Sequence, residues 1–360
     1  MNRLTAIGLA SLAAYGLLIA SKYTGIVSAA REEAIPAPQV AAEAVEGDVS
    51  RVQPLRPEPR QSTLATLPAP IPRAQPVRAS AVSLEFRGAR DLRAFAEGLL
   101  ARQGTLTADE RYFLAKAIEE CQFATTINED LAAHSAKQRK QFLATLPVGD
   151  AQNEKRIAAF EAIDNTARCL GFQGSKLSPK DVESLYKAAA QQGDARAQAR
   201  IVTAELSKNI NKLQPEGPAT RAQIDDFNLL IGLLESKDPE AMMYVGQFLA
   251  QNAIAQNLRV GPNGEIPEPS AFLGAFSLVA CDVGQDCTSM HRDLQQACAY
   301  AGYCNASGFD ELYQNFLASP WAYAQAMRYR GLIHTAIRDR NWSLIGLTPK
   351  LANRGEPRFY

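Results

Sequence analysis

The residues best equipped for covalent chemistry are six cysteines: Cys121, Cys169, Cys281, Cys287, Cys298 and Cys304. Cys121 and Cys169 each fall near the end of a predicted helix, far from the other four. They are expected to pair with each other. That bridge would close a loop of about 49 residues, for which loop entropy gives roughly 4 kcal/mol at best. The remaining four repeat one spacing, Cys281-x5-Cys287 and Cys298-x5-Cys304. Local bridges Cys281–Cys287 and Cys298–Cys304 would tie each helix end to the loop after it. Crossed pairing between the two helices is the alternative. Zinc ligand pairs usually lie about two to four residues apart, so this spacing fits a metal site poorly even with His291 added.

The other chemistry-bearing residues form no pattern of that quality. His134, His291 and His334 are the three histidines, and no HExxH, GxSxG, Walker A or GxGxxG sequence accompanies them. Glu119–Glu120, Asp225–Asp226 and Asp310–Glu311 pair carboxylates, but neighbours on a helix do not face one another. They read as solvated faces or complements to a helix dipole. Trp321, Tyr323, Tyr329 and Trp342 form a C-terminal aromatic group that either caps the fold or lines a groove. No cofactor and no metal is expected.

The elements that would carry these residues read as helix after helix from Ser80 onward. Thr107 and Glu110 make a capping box. Ser178-Pro179, Asp238-Pro239 and Ser319-Pro320 each set a capping residue before proline at the first helical position. Gly104 and Gly193 sit where helices should stop. Helices are predicted over 89–103, 107–122, 129–145, 151–169, 179–192, 194–208, 219–235, 239–256, 270–282, 289–301, 309–318 and 320–338. The fold class is all-α: stacked helical hairpins in a repeat-like superhelix, with a linear order that keeps the first and last pairs apart.

The segment Leu185-Tyr-Lys-Ala-Ala-Ala-Gln-Gln-Gly-Asp-Ala-Arg-Ala-Gln198 resembles the Sel-one-like repeat, a relative of the tetratricopeptide repeat. Ala188 and Ala189 would admit a neighbouring helix, Gly193 would end one helix, and Ala197 would open the packing face of the next. Weaker copies run from Leu234 to Ala241 with Gly246, and from Leu278 to Gly284. The turn positions Gly193, Lys237 and Gly284 are about 44 and 47 residues apart, near the upper end of such periods. The resemblance covers residues 179–300, and residues 89–170 depart from it. It implies a right-handed superhelix of helix pairs and a role in protein–protein contact.

Composition limits the partners. Lys plus Arg and Asp plus Glu number 38 each, so no global field draws the chain to nucleic acid. Residues 1–30 hold an apolar run, Leu4–Ala20, behind Arg3. It is short for a membrane span. The small residues of Val27-Ser28-Ala29 lie beyond Lys22 and Tyr23, a long approach for signal cleavage, which favours a signal anchor over a signal peptide. Residues 31–81 are rich in Pro and Ala, with Pro36, Pro38, Pro54, Pro57, Pro59, Pro68, Pro70, Pro72 and Pro76, and read as a disordered linker. Residues 82–345 form the helical domain and 346–360 a tail. The expected address is the inner membrane, single-pass with a periplasmic C-terminal domain, or the periplasm if the segment is cleaved. There the domain is expected to be a non-catalytic scaffold for an envelope protein or peptide partner. A helical wall-remodelling hydrolase is the rival.

Overall fold

The computed structural model describes residues 80–102, 106–127, 129–176, 178–208, 221–253, 257–288 and 291–347. The apolar run Leu4–Ala20, the proline-rich segment up to 79, Gly104 and most of the C-terminal tail lie outside them. Among the described residues there is no strand beyond two isolated bridges, and no helix is long and apolar enough to cross a membrane.

Helix starts follow the local chemistry. Thr107 and Glu110 exchange hydrogen bonds at the head of α3 (Ala108–Glu120): Thr107 N donates to Glu110 Oε2 at 2.8 Å and Glu110 N to Thr107 Oγ1 at 3.2 Å. Proline opens α8 (Pro179–Gln191), α11 (Pro239–Asn252) and α15 (Pro320–Asp339) behind Ser178, Asp238 and Ser319. At these first-turn positions the missing N–H is not needed by the helix. Gly193, Lys237 and Gly284 all adopt positive φ (94°, 55° and 116°), the left-handed turn that ends a helix without obstructing the next.

The helix predicted over 89–103 is shorter, α2 (Leu92–Leu100), because Asp91 caps it by accepting from Arg93 N and Ala94 N, and an additional helix, α1 (Ala81–Gly88), precedes it. The 151–169 helix divides into α6 (Asn153–Ile163) and α7 (Thr166–Cys169). Asp164 accepts from Thr166 N at 2.8 Å and from Ser135 Oγ at 2.7 Å, and this side-chain bonding competes with the helix ladder. The remaining elements are α4 (Gln122–Thr126), α5 (Leu131–Ala144), α9 (Ala195–Lys208), α10 (Arg221–Glu235), α12 (Pro269–Asp282), α13 (Arg292–Gln296) and α14 (Phe309–Leu312). The last two continue as π-helical turns, Ala297–Ala301 and Tyr313–Leu317.

Packing runs in series: α2 on α3, α3 on α8, α8 on α9, α9 on α11, α11 on α12 and α12 on α15. One core gathers Phe86, Phe95, Tyr112, Leu114 and Tyr186; the other gathers Leu230, Met242, Phe272, Phe276 and Ile333. They adjoin at α9, where fully buried Ala197 belongs to the first and Ala199 to the second. At Gly246 a Cβ would lie 2.4 Å from Phe276 Cβ, so glycine is what lets α11 press against α12.

The order is not linear, and this corrects the sequence expectation. Between α3 and α8 the chain makes an excursion through α5 and α6, and α6 packs on α13 and its π turn. Residues near 150 therefore touch residues near 300. The sequence of α6 gives little amphipathic signal, so nothing local identifies which later element covers it.

Candidate interaction face

Three cysteine pairs stand at disulfide distance: Cys121–Cys169, Cys281–Cys287 and Cys298–Cys304, with Sγ–Sγ separations of 2.03, 1.96 and 2.04 Å. None of the six is free. His291, the residue that would have completed a zinc site, instead caps α13, with Asp293 N donating to its Nδ1 at 3.3 Å. Among the described residues no group of three His, Cys, Asp or Glu is arranged to hold a metal.

A cluster of charged and aromatic side chains lies where α3, α8, α9 and α11 meet. Arg196 donates to Asp109 and Asp194, each at 2.5 Å, and its guanidinium lies 4.1 Å from the Tyr112 ring centroid. Arg200 donates to Glu119 at 2.5 Å and stacks over Tyr186 at 4.4 Å, while Tyr186 Oη donates to the other oxygen of Glu119 at 2.8 Å. Lys116 Nζ and Tyr112 Oη both donate to Glu240 Oε1, at 2.7 and 2.5 Å. The side chains of Lys116 and Glu240 keep 17% and 27% of their surface, so the face is recessed yet wet.

Electrostatics keep this face charged. Burial acts to lower the Lys116 ammonium, but Glu240, Tyr244 and Glu120 together outweigh it and hold it above the usual lysine range. Burial likewise pushes Glu240 up, and Lys116 and Tyr112 more than reverse it. Burial raises the Tyr112 and Tyr186 phenols well above the ordinary value, which keeps both as hydrogen-bond donors.

The paired carboxylates divide as helix geometry requires. Glu119 turns to Tyr186 and Arg200. Glu120 turns the other way, accepting from Asn165 Nδ2 at 3.3 Å, with Arg168 at 3.8 Å. Burial lifts the Glu120 carboxyl above its usual range although Lys116, Arg292 and Arg168 all act against it. Glu311 is bound to Ser307, and Asp310 lies 3.9 Å from Arg330. Burial and neighbouring Asp225 raise the Asp226 carboxyl.

Sequence reasoning missed the partner of His334. Its Nε2 lies 2.8 Å from Asp282 Oδ2, and Arg330 grips the same carboxylate through Nε at 2.7 Å and Nη2 at 2.5 Å. The available signal was Arg330 and His334 at i, i+4 on one helix, but nothing local pointed to an acid some fifty residues earlier. His134 pairs with Glu129 at 2.7 Å, and its Nε2 lies 3.5 Å from Gln138 Nε2. The C-terminal aromatics separate: Tyr329 is buried edge-on against Phe272, whereas Trp321 is 60% exposed.

A hollow of about 510 Å³ at the α1–α2 junction is lined by Glu85, Asp91 and Phe95 and contains neither Glu120 nor Glu240. Comparison of the chain with protein-family models, with curated proteins and with solved structures gives no match.

Proposed function

We propose that the helical domain is a non-catalytic interaction module that works outside the cytoplasm, held to the inner membrane by residues 1–30 and spaced from it by residues 31–81. The observation that carries this reading is the recessed Arg–Tyr–Glu face of α3, α8, α9 and α11. Arginine is one of the side chains that most often anchor protein partners, and here the partly exposed Arg196 and Arg200 are preorganised by their own carboxylates over the buried rings of Tyr112 and Tyr186. Serial helix packing and the three left-handed turns at Gly193, Lys237 and Gly284 agree with a Sel-one-like architecture. Three cysteine pairs at disulfide distance agree with an oxidising compartment.

The test uses photo-crosslinking amino acids placed at Tyr244, beside Arg200, and at Leu84 and Val148 on exposed outer surfaces, in the full-length exported chain. A discrete adduct from Tyr244 that is absent from the other two positions is expected. Adducts of equal yield from all three, or none from Tyr244, overturn the assignment. A reporter active only after export, fused at Tyr360, checks the address.

One observation favours a second reading, a hydrolase. Glu120 is a largely buried carboxyl raised above its normal range, as a proton donor must be. Release of products from cell-wall material by the purified domain, lost in Glu120→Gln, would establish that reading in place of the first.

A further inference from the structure

The α5–α6 pair is lightly attached. Along α5 only Leu131 and Phe142 are buried, and α6 buries Arg156, Ala159 and Phe160. Phe142, Ala159 and Phe160 join Cys298 and Ala299 in a third small cluster, separate from both main cores, while Leu131 at the start of α5 packs into the first core. A segment with so few buried contacts opens at a lower free energy than the domain as a whole.

α6 packs on α13 and on the π turn that follows it, and its side-chain hydrogen bonds to the C-terminal half gather on that turn. Arg156, itself 8% exposed, donates from Nε to Ala299 O at 3.0 Å and from Nη2 to Tyr300 O at 3.3 Å. These carbonyls lie in the last turn of the π segment, where the chain supplies no further N–H. The backbone reverses next at Gly302 (φ 78°), whose N–H returns to Cys298 O. Phe142 stacks on Phe160 with centroids 4.2 Å apart, and the Tyr300 ring meets both edge-on. Lys155 Nζ reaches Asn305 Oδ1 at 3.3 Å. Every C-terminal partner in these contacts lies within residues 299–305, and the Cys298–Cys304 bridge spans that turn.

We propose that Cys298–Cys304 is a redox latch: as a disulfide it holds the turn in the shape that Arg156 grips, and its reduction releases the α5–α6 pair. The step needs a dithiol reductant. The disulfide accepts two electrons and two protons to become two thiols, and the dithiol loses the same and closes to a cyclic disulfide. Attack begins at half-buried Cys304. Cys121 and Cys169 are fully buried and resist the same reagent. Release frees Arg156 from its carbonyls and uncovers the Phe142–Phe160 stack, turning a closed fold into one open at α13.

The test is a graded dithiothreitol titration of the oxidised full-length protein. Thiols are trapped and located by mass spectrometry, and amide hydrogen exchange is followed in the same samples. As Cys298 and Cys304 become labelled, α6 amides should lose protection about tenfold or more while α3 and α8 hold theirs. Arg156→Gln should produce that loss in the oxidised protein, with reduction adding nothing. Cys281→Ser/Cys287→Ser should leave the response intact, which separates the latch from the other accessible bridge. Full α6 protection with both thiols labelled overturns the proposal. So does simultaneous loss from α6 and α3, which would make the bridge a staple of the whole domain. The titration needs no variant, so misfolding of any substitution leaves it decisive.

Discussion

Two carboxylates in this fold are surrounded by cations and have opposite acidities. Asp282 faces Arg330 and His334 and lies below the usual aspartate range: burial pushes it up, and hydrogen bonds from His334 and Arg330 more than compensate. Glu120 faces Lys116, Arg292 and Arg168 and lies above its usual range, because burial, with the like charge of Glu240 added, wins. Both are largely withdrawn from water, with 3% of the Asp282 side chain and 19% of the Glu120 side chain exposed, and burial acts to raise both. What separates them is contact. Asp282 takes three charge-assisted bonds of 2.5 to 2.8 Å, whereas Glu120 takes an amide at 3.3 Å and a guanidinium at 3.8 Å. A cation stabilises a buried carboxylate chiefly when it donates directly; at longer range its field fails to replace lost hydration.

The largest effect that tests this contrast is removal of Asp282. Asp282→Ala leaves Arg330, only 8% exposed, with its main counter-charge gone. Breaking one side of a buried pair costs about 3–5 kcal/mol, read as a lower urea midpoint. Glu120→Ala should cost less than about 1 kcal/mol, since no close ion pair is lost. Equal losses from the two would break the comparison.

Next in size is the bridge at the base of Glu120. Cys121 follows Glu120 directly, and the bond to Cys169 fastens the end of α3 to α7, which carries Arg168. Cys121→Ser/Cys169→Ser should lower stability by about 2–4 kcal/mol in thermal melts. Cys281→Ser/Cys287→Ser should lower it less, because that loop is short.

The helices themselves were legible because their signals are local. Thr107 with Glu110, and proline after Ser178, Asp238 and Ser319, fix the starts of α3, α8, α11 and α15 to within about one residue. The recurring Cys-x5-Cys spacing pointed to local bridges for the same reason. What stayed hidden is long-range. Glu240 beneath Lys116, Asp282 beneath His334 and the Tyr300 carbonyl on Arg156 each lie more than forty residues away along the chain. Such partners leave no mark on periodicity. Asp91 and Asp164 also misled, since an aspartate inside a helical pattern reads as a surface residue until its side chain is seen bonding the next turn.

The two carboxylates should also respond to acid with opposite sign. Asp282 has its folded value below the unfolded value of about 3.9, so its contribution is fully present above that pH and is lost as pH falls through the folded value. Asp282→Asn should therefore flatten the acid limb of a stability–pH profile. An unchanged limb would show that the bonds from Arg330 and His334 do not set its acidity.

The smallest expected effect is the sharpest test. The Glu120 carboxyl has its folded value above the unfolded value of about 4.3, so the folded chain binds its proton more tightly than the unfolded chain does. Stability is then greatest below that pH and declines as pH rises through the folded value, the reverse of Asp282. As pH rises, the site's preference for the neutral carboxyl becomes a cost to the folded chain. Glu120→Gln keeps the shape and the acceptor for Asn165 and removes the charge, so it should stabilise the domain at pH 7 and change little near pH 4. Urea unfolding of both proteins at the two pH values measures this directly. A loss of stability at pH 7 would mean that Lys116, Arg168 and Arg292 bind the ionised carboxylate after all, and direct contact would then not be what separates the two sites. A gain at pH 7 that vanishes in acid would leave Glu120 as a carboxyl maintained at a stability cost. Such a cost is the ordinary mark of a group kept for binding or proton transfer rather than for the fold.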